Sequence, residues 1–138
     1  MKKKILACVF LCFFFIILPG CSKKAAPKAP LCRVVTQVDI AGQEKDVQIY
    51  RHYTDEQKAQ WVLIYLRTLK PSIRPQSPPE NSKNSRYEIT LTFSDGKQKV
   101  FRQAAHRYYA VEDRPWHAID PAQAAGLYTL LRALPSDL

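Results

Sequence analysis

The chain has 138 residues, 46% of them hydrophobic, with 21 Lys and Arg against 12 Asp and Glu and a formal net charge of +9. Six of the basic residues fall before residue 31, which leaves 15 basic against 12 acidic side chains in the remainder. A body near +3 with interspersed signs has no electrostatic footprint for a phosphate backbone, so nucleic acid is not an expected partner.

Lys2, Lys3 and Lys4 lead into an unbroken apolar run from Ile5 to Leu18, closed by Pro19, Gly20 and Cys21. Charged start, apolar middle and small-residue stop are the parts of a secretory signal, here residues 1–20. At about 1.5 Å per residue the run spans about 21 Å as a helix, short of the roughly 30 Å hydrocarbon core. It therefore reads as an export signal rather than a membrane span.

Leu18-Pro19-Gly20-Cys21 resembles the lipobox of bacterial lipoproteins, with Pro19 where that pattern usually has a small or hydroxyl residue. The resemblance implies that the thiol of Cys21 receives a diacylglycerol group and that the peptide is cut before it. The mature chain would then be anchored to the outer leaflet of the cell membrane, or to an outer membrane where the cell has one. Two or more acyl chains hold a protein on a bilayer, whereas one gives only marginal binding. The plain alternative is a cleaved signal with Cys21 as a bystander. Cys8 and Cys12 leave with the signal, so Cys32 has no intramolecular partner and is expected as a small apolar side chain at a strand start.

Residues 21–30 follow as the lipidated cysteine and a tether. Ser22 to Pro30 holds three lysines and two prolines with no apolar periodicity, which suits an extended, solvated segment. A folded domain is expected from residue 31 to residue 138. Val34 to Ile40 and Val47 to Tyr50 are β-branched and alternating, a hairpin from Cys32 to Tyr53 turning at Ala41-Gly42-Gln43. Thr54 to Gln57 reads as a helix start with Thr54 as cap, and Trp61, Val62, Tyr65, Leu66 and Leu69 recur on one apolar face up to Lys70-Pro71. Residues 71–85, rich in proline and serine, read as a polar and mobile loop. Tyr87, Ile89, Leu91 and Phe93 alternate with polar residues, and Asp95-Gly96 predicts a type I′ turn into a returning strand, Lys97 to Gln103. Arg107 to Val111 and Trp116 to Ile119 form one more pair. Asp120 then caps a second helix with Pro121 at its first position, Gln123 as the return cap and Gly126 placed for close approach to the sheet.

Strands and helices do not alternate regularly, which argues against a parallel sheet. The expected fold is α+β: a two-layer domain with an antiparallel sheet of four to six strands and two helices packed on one face. Tyr53-Thr54-Asp55, Thr92 to Gly96 and Ile119-Asp120-Pro121 give the domain a loose likeness to small lipoproteins of unknown function from Gram-positive bacteria, a likeness that implies no activity.

Known catalytic spacings are absent: there is no Gly-x-Ser-x-Gly, His-Glu-x-x-His, Cys-x-x-Cys or glycine-rich phosphate loop. No cofactor is expected. His106 and His117 could ligate a metal with Glu112 or Asp113 if the sheet brought them together, which would make a metal-dependent or His/carboxylate hydrolase. A proteinaceous inhibitor is the third alternative. The candidate binding surface is Arg107, Tyr108, Tyr109, Arg114, Trp116 and His117, since aromatic rings backed by guanidinium groups stack on sugars or hold extended peptides. The bland alternative makes those aromatics core. The expected role is a non-enzymatic binding domain of the cell envelope, held at the membrane by its lipid, with an envelope protein or ligand docking on the polar sheet face opposite the helices.

Overall fold

The computed structural model describes residues 33–80, 82 and 85–137; the expected signal, Cys21, the expected tether and Cys32 lie outside these residues. In chain order the elements are β1 (Val35–Glu44), β2 (Val47–Tyr53), α1 (Glu56–Thr68), β3 (Ser85–Phe93), β4 (Gln98–Ala104), β5 (Tyr108–Val111), β6 (His117–Ala118) and α2 (Pro121–Ala133). The strands form one sheet in the order β2-β1-β3-β4-β5-β6, with every neighbouring pair antiparallel. The fold is α+β, a six-stranded antiparallel sheet with two helices.

The register explains why alternation suffices to build it. Val38 lies opposite Leu91, Ile40 opposite Ile89, and Ile89 opposite Phe101, so one face of three adjacent strands is a continuous apolar row. Val62, Tyr65 and Leu66 of α1 and Ala124, Leu127 and Leu131 of α2 complete the buried core. Each large side chain buried there contributes about 1.5–3 kcal/mol. The opposite face carries the polar set, among it Glu88, Thr90 and Arg102.

Several local expectations move. The first hairpin does not turn at Gly42: β1 runs on to Glu44, and the turn is made at Lys45, which has φ 54°. Gly42 is a strand residue because the ring of Tyr87 lies across it; a Cβ there would sit 2.2 Å from Tyr87 Cδ1. The β3–β4 hairpin has Gly96 at φ 80° while Asp95 keeps a negative φ. With the Gly96 amide donating to Phe93 O and the Phe93 amide to Lys97 O, this is a three-residue loop with its glycine in the left-handed position rather than type I′. Both positive φ angles expected of a type I′ turn occur instead at Ala105 and His106, between β4 and β5.

The helices show the same kind of displacement. Asp55, not Thr54, caps α1 by accepting from the Lys58 amide at 3.0 Å. Trp61 is 52% exposed, turned away from the core that Ala59, Val62, Tyr65 and Leu66 enter. Asp120 caps α2 as expected, accepting from the Ala122 amide. Gln123 does not cap its own helix: its side chain donates to Thr68 O at 3.0 Å and accepts from the Lys70 amide at 3.2 Å, closing the end of α1. Gly126 admits α1 rather than the sheet, since a Cβ there would meet the Tyr65 ring at 3.2 Å. Through that gap Tyr65 reaches the sheet and donates to Gln103 Oε1 at 2.5 Å, while Gln103 Nε2 donates to Ala124 O at 3.2 Å.

The segment after α1 is more ordered than its composition suggests. The Ser72 amide donates to Ala118 O and the Gln76 amide to Trp116 O, both at 2.8 Å, with Pro75 bridged to His117. Ser72 to Gln76 thus lies along the outer edge of β6. At the other edge the last residues close the end of β2: the Asp137 amide donates to His52 O and the Ser136 hydroxyl engages both backbone groups of His52.

That tail carries a pH dependence. The Asp137 carboxylate accepts from Lys58 Nζ and from the amides of Asp55 and Thr54, which together hold it far below the usual carboxylate range. For Asp39, burial works upward, but hydrogen bonds from His52, Gln37 and Tyr50 outweigh it and the carboxyl lies below its ordinary value. A carboxyl depressed in the folded state stabilises it fully above its unfolded value of about 4, and that contribution is lost as pH falls through the folded value. The urea midpoint is therefore expected to hold between pH 7 and about pH 5 and to fall steadily below about pH 4. In Asp137→Asn the midpoint at pH 7 is lower and the acid slope shallower; an unchanged slope would show that the tail clasp does not contribute.

Candidate functional site

Cross-strand pairing sets the polar face. Tyr50 pairs with Ala41, Ala41 with Glu88, Glu88 with Arg102 and Arg102 with Ala110. Those residues form one row across five strands, and Gln48, Gln43 and Arg86 form the row beside it. Ala41, the one small side chain between Tyr50 and Glu88, leaves the floor low. The result is a groove of about 590 Å³ with Tyr50 at one flank and Trp116 at the other, floored by Gln43, Arg86, Glu88 and Arg102. At about 4.8 Å per strand the three steps from Tyr50 to Arg102 span about 14 Å.

Both aromatic flanks are held in place. The Tyr50 hydroxyl donates to Asp39 Oδ1 at 3.0 Å, and the same oxygen lies 2.7 Å from His52 Nδ1. The hydrogen bond to Asp39 raises the Tyr50 phenol above its ordinary value, because the neighbouring carboxylate disfavours a phenolate. On the far side the Arg102 guanidinium stacks on the Trp116 ring, 5.3 Å from its centroid, and donates to Glu112 O. Trp116 is also anchored through its backbone by Gln76. A half-buried indole over a guanidinium, facing a half-exposed phenol across amide, guanidinium and carboxylate groups, can clamp a polar ligand of some length.

The six residues of the candidate binding surface do not share one place. Trp116 is in the groove, and Tyr108 is half-buried on the same sheet face. Tyr109 is core: it is 9% exposed, stacks on Phe101 at 6.1 Å between centroids, and burial pushes its phenol up to about 12. Arg107 is exposed in the β4–β5 turn, while Arg114 lies at the opposite end of the sheet. His117 is bound to Ser72 O through Nδ1 at 2.7 Å. Sequence reasoning points to this sheet face and to Trp116 but misses Tyr50 and Arg86. The available signal was the alternation in β2 and β3, which puts both on the polar face once the register is known.

His106 and His117 have different partners. Its Nε2 lies 3.0 Å from Glu44 Oε1 and 3.0 Å from Ser85 Oγ, and the hydroxyls of Ser85 and Tyr87 each donate to Glu44 Oε2 at 3.0 Å. A serine nucleophile needs one imidazole nitrogen to take its proton while a carboxylate orients the other. Here serine and carboxylate meet the same nitrogen, and the serine hydroxyl donates its hydrogen bond to the carboxylate. Glu44 is accordingly held below its ordinary value, the hydrogen bonds from His106, Tyr87 and Ser85 outweighing the upward push of burial. The arrangement is a clasp joining the end of β1, the start of β3 and the β4–β5 turn, and it keeps Ala105 and His106 in their left-handed conformations. Among the described residues no three His, Cys, Asp or Glu side chains are grouped to hold a metal ion. No protein-family model, no curated protein and no solved structure matches the chain.

Proposed function

We propose that this chain is a lipid-anchored binding module of the bacterial cell envelope, whose polar ligand lies in the groove between Tyr50 and Trp116. The observation that carries the binding half is the pair of positioned aromatic side chains flanking a floor of Arg86, Glu88 and Arg102. Interface energy concentrates in buried or half-buried aromatic and arginine side chains, and tryptophan and tyrosine are the commonest anchors. The anchoring half rests on the signal-like residues 1–20 and on Cys21. A tether raises local concentration at a surface without requiring any chemistry.

Cross-linking in intact cells, with partners retrieved through a C-terminal tag, is the direct test. One partner should be recovered with the native chain, and Trp116→Ala and Tyr50→Ala should each weaken it by about tenfold or more, as anchors do, while both variants melt close to the native protein. Equal recovery by folded Trp116→Ala and Tyr50→Ala chains would remove the groove from the account. The mass of the mature N-terminal peptide tests the anchor separately: it should begin at Cys21 and carry a diacylglyceryl group, and an unmodified Cys21 would refute it.

A further inference from the structure

The end of the sheet where the chain enters the domain is cationic. The start of β1, the end of β3, the start of β4 and the end of β5 meet there, and they enclose a cleft of about 380 Å³. Arg33, Lys97, Lys99 and Arg114 line it, and Glu112 is the one carboxylate among its lining residues. All four cations are exposed. Asp95, nearby, is engaged by Arg33 at 3.5 Å. In a body whose charge is close to balanced, four exposed cations against Glu112 in the cleft and the Arg33-paired Asp95 beside it leave this end net positive. Val34, 51% exposed, adds an apolar side chain at the same end.

From this geometry we infer that the cleft end docks on a bilayer surface and binds the phosphate groups of anionic phospholipids. The inference rests on the anchored reading above, because that reading brings a bilayer to this end. Arg33 is only 12 residues from Cys21, a stretch that reaches at most about 40 Å and that contains Lys23, Lys24 and Lys28. A cation near an anionic membrane surface strengthens binding about fivefold, an effect that fades beyond the screening length. Guanidinium groups pair with phosphate oxygens in a bidentate way and ammonium groups as point charges, and the cleft supplies two of each. Docking at this end leaves the Tyr50–Trp116 groove, on a face of the sheet rather than at its end, open to the envelope.

The test uses the acylated full-length protein reconstituted into phosphatidylcholine vesicles with and without phosphatidylglycerol. Amine acetylation is followed residue by residue by mass spectrometry. Lys97 and Lys99 should react at least about fivefold more slowly on the anionic vesicles, with the difference lost at high salt. Lys45, exposed in the β1–β2 turn at the other end of the sheet, should react equally on both. Equal rates for Lys97 and Lys99 on the two kinds of vesicle would overturn the inference while leaving an acylated Cys21, and so the anchor, intact. Protection of both lysines in a chain that lacks the acyl group would show that this end docks without the anchor, and the inference would stand on its own. Equal slowing by inorganic phosphate without vesicles would assign the cleft to a soluble anion and overturn the headgroup assignment.

Discussion

Gly42→Ala is expected to destabilise the domain by about 3 kcal/mol or more. Gly42 pairs with Tyr87 across β1 and β3, and the new methyl carbon would lie 2.2 Å from Tyr87 Cδ1 and 2.5 Å from Cε1. No rotation of a methyl group relieves that overlap, so the ring or the strand must move. Tyr87 is 4% exposed and its hydroxyl is bound to Glu44, so displacing it also opens the clasp with Ser85 and His106. The usual penalty of glycine in a strand is offset here by the aromatic ring that covers it. Chemical denaturation reads the effect, and a second variant checks the cause. In a Tyr87→Ala background the added Gly42→Ala should cost little, because the ring it collides with is gone. A full penalty in that background would mean that glycine is needed for its backbone rather than for the space.

Gln103→Leu carries the second large effect, a loss of about 2–3 kcal/mol. Gln103 is 3% exposed on the core side of β4, where an apolar side chain would ordinarily stand. Its amide joins three elements: it accepts from Tyr65 Oη of α1 at 2.5 Å and donates to Ala124 O of α2 at 3.2 Å. Leucine fills a similar volume but leaves the Tyr65 hydroxyl buried without an acceptor, and an unpaired buried donor costs about 1–3 kcal/mol. Removing both polar groups is a different matter. Tyr65→Phe/Gln103→Leu should recover most of the loss, with a coupling energy of about 1–2 kcal/mol in the double-mutant cycle. Additive losses would indicate that the two side chains act independently. Burial holds the Tyr65 phenol well above its ordinary value, so this link is insensitive to pH across the range in which the domain is folded.

These two positions also mark where reading along the chain gives way to three dimensions. Alternation at Tyr87, Ile89, Leu91 and Phe93 was enough to place β3, because period two has only one geometric meaning. Proline at position 121 behind Asp120 was enough to place the start of α2 to the residue. Gly42 was misread as a turn because a glycine looks the same whether it supplies a positive φ or makes room for a ring 45 residues away. Gln103 in a strand looked like one more polar residue, and nothing local distinguishes an exposed amide from one that bridges two helices.

The groove divides in the same way. Trp116 was marked by its company of arginines and tyrosines, yet the cluster around it is contiguous only in the chain. Tyr109 faces the core and Arg114 the far end of the sheet, because adjacent strand residues point to opposite faces and a loop separates residues 111 and 116. Tyr50 and Arg86, which complete the groove, come from β2 and β3 and reach Trp116 only through the strand order β2-β1-β3-β4.

The α+β class, six of the strands' identities, both helices and the polar character of one sheet face were therefore properties of the sequence itself. They depend on side-chain periodicity, capping residues and proline, whose effects extend only a few residues. Strand order, the turns at Lys45 and at Ala105-His106, the Tyr65–Gln103 link, the aromatic flanks of the groove and the cationic end of the sheet were decided by tertiary structure alone. Each depends on which distant residues share a face, and that is set by the register of the antiparallel ladder and by the packing of the helices on it.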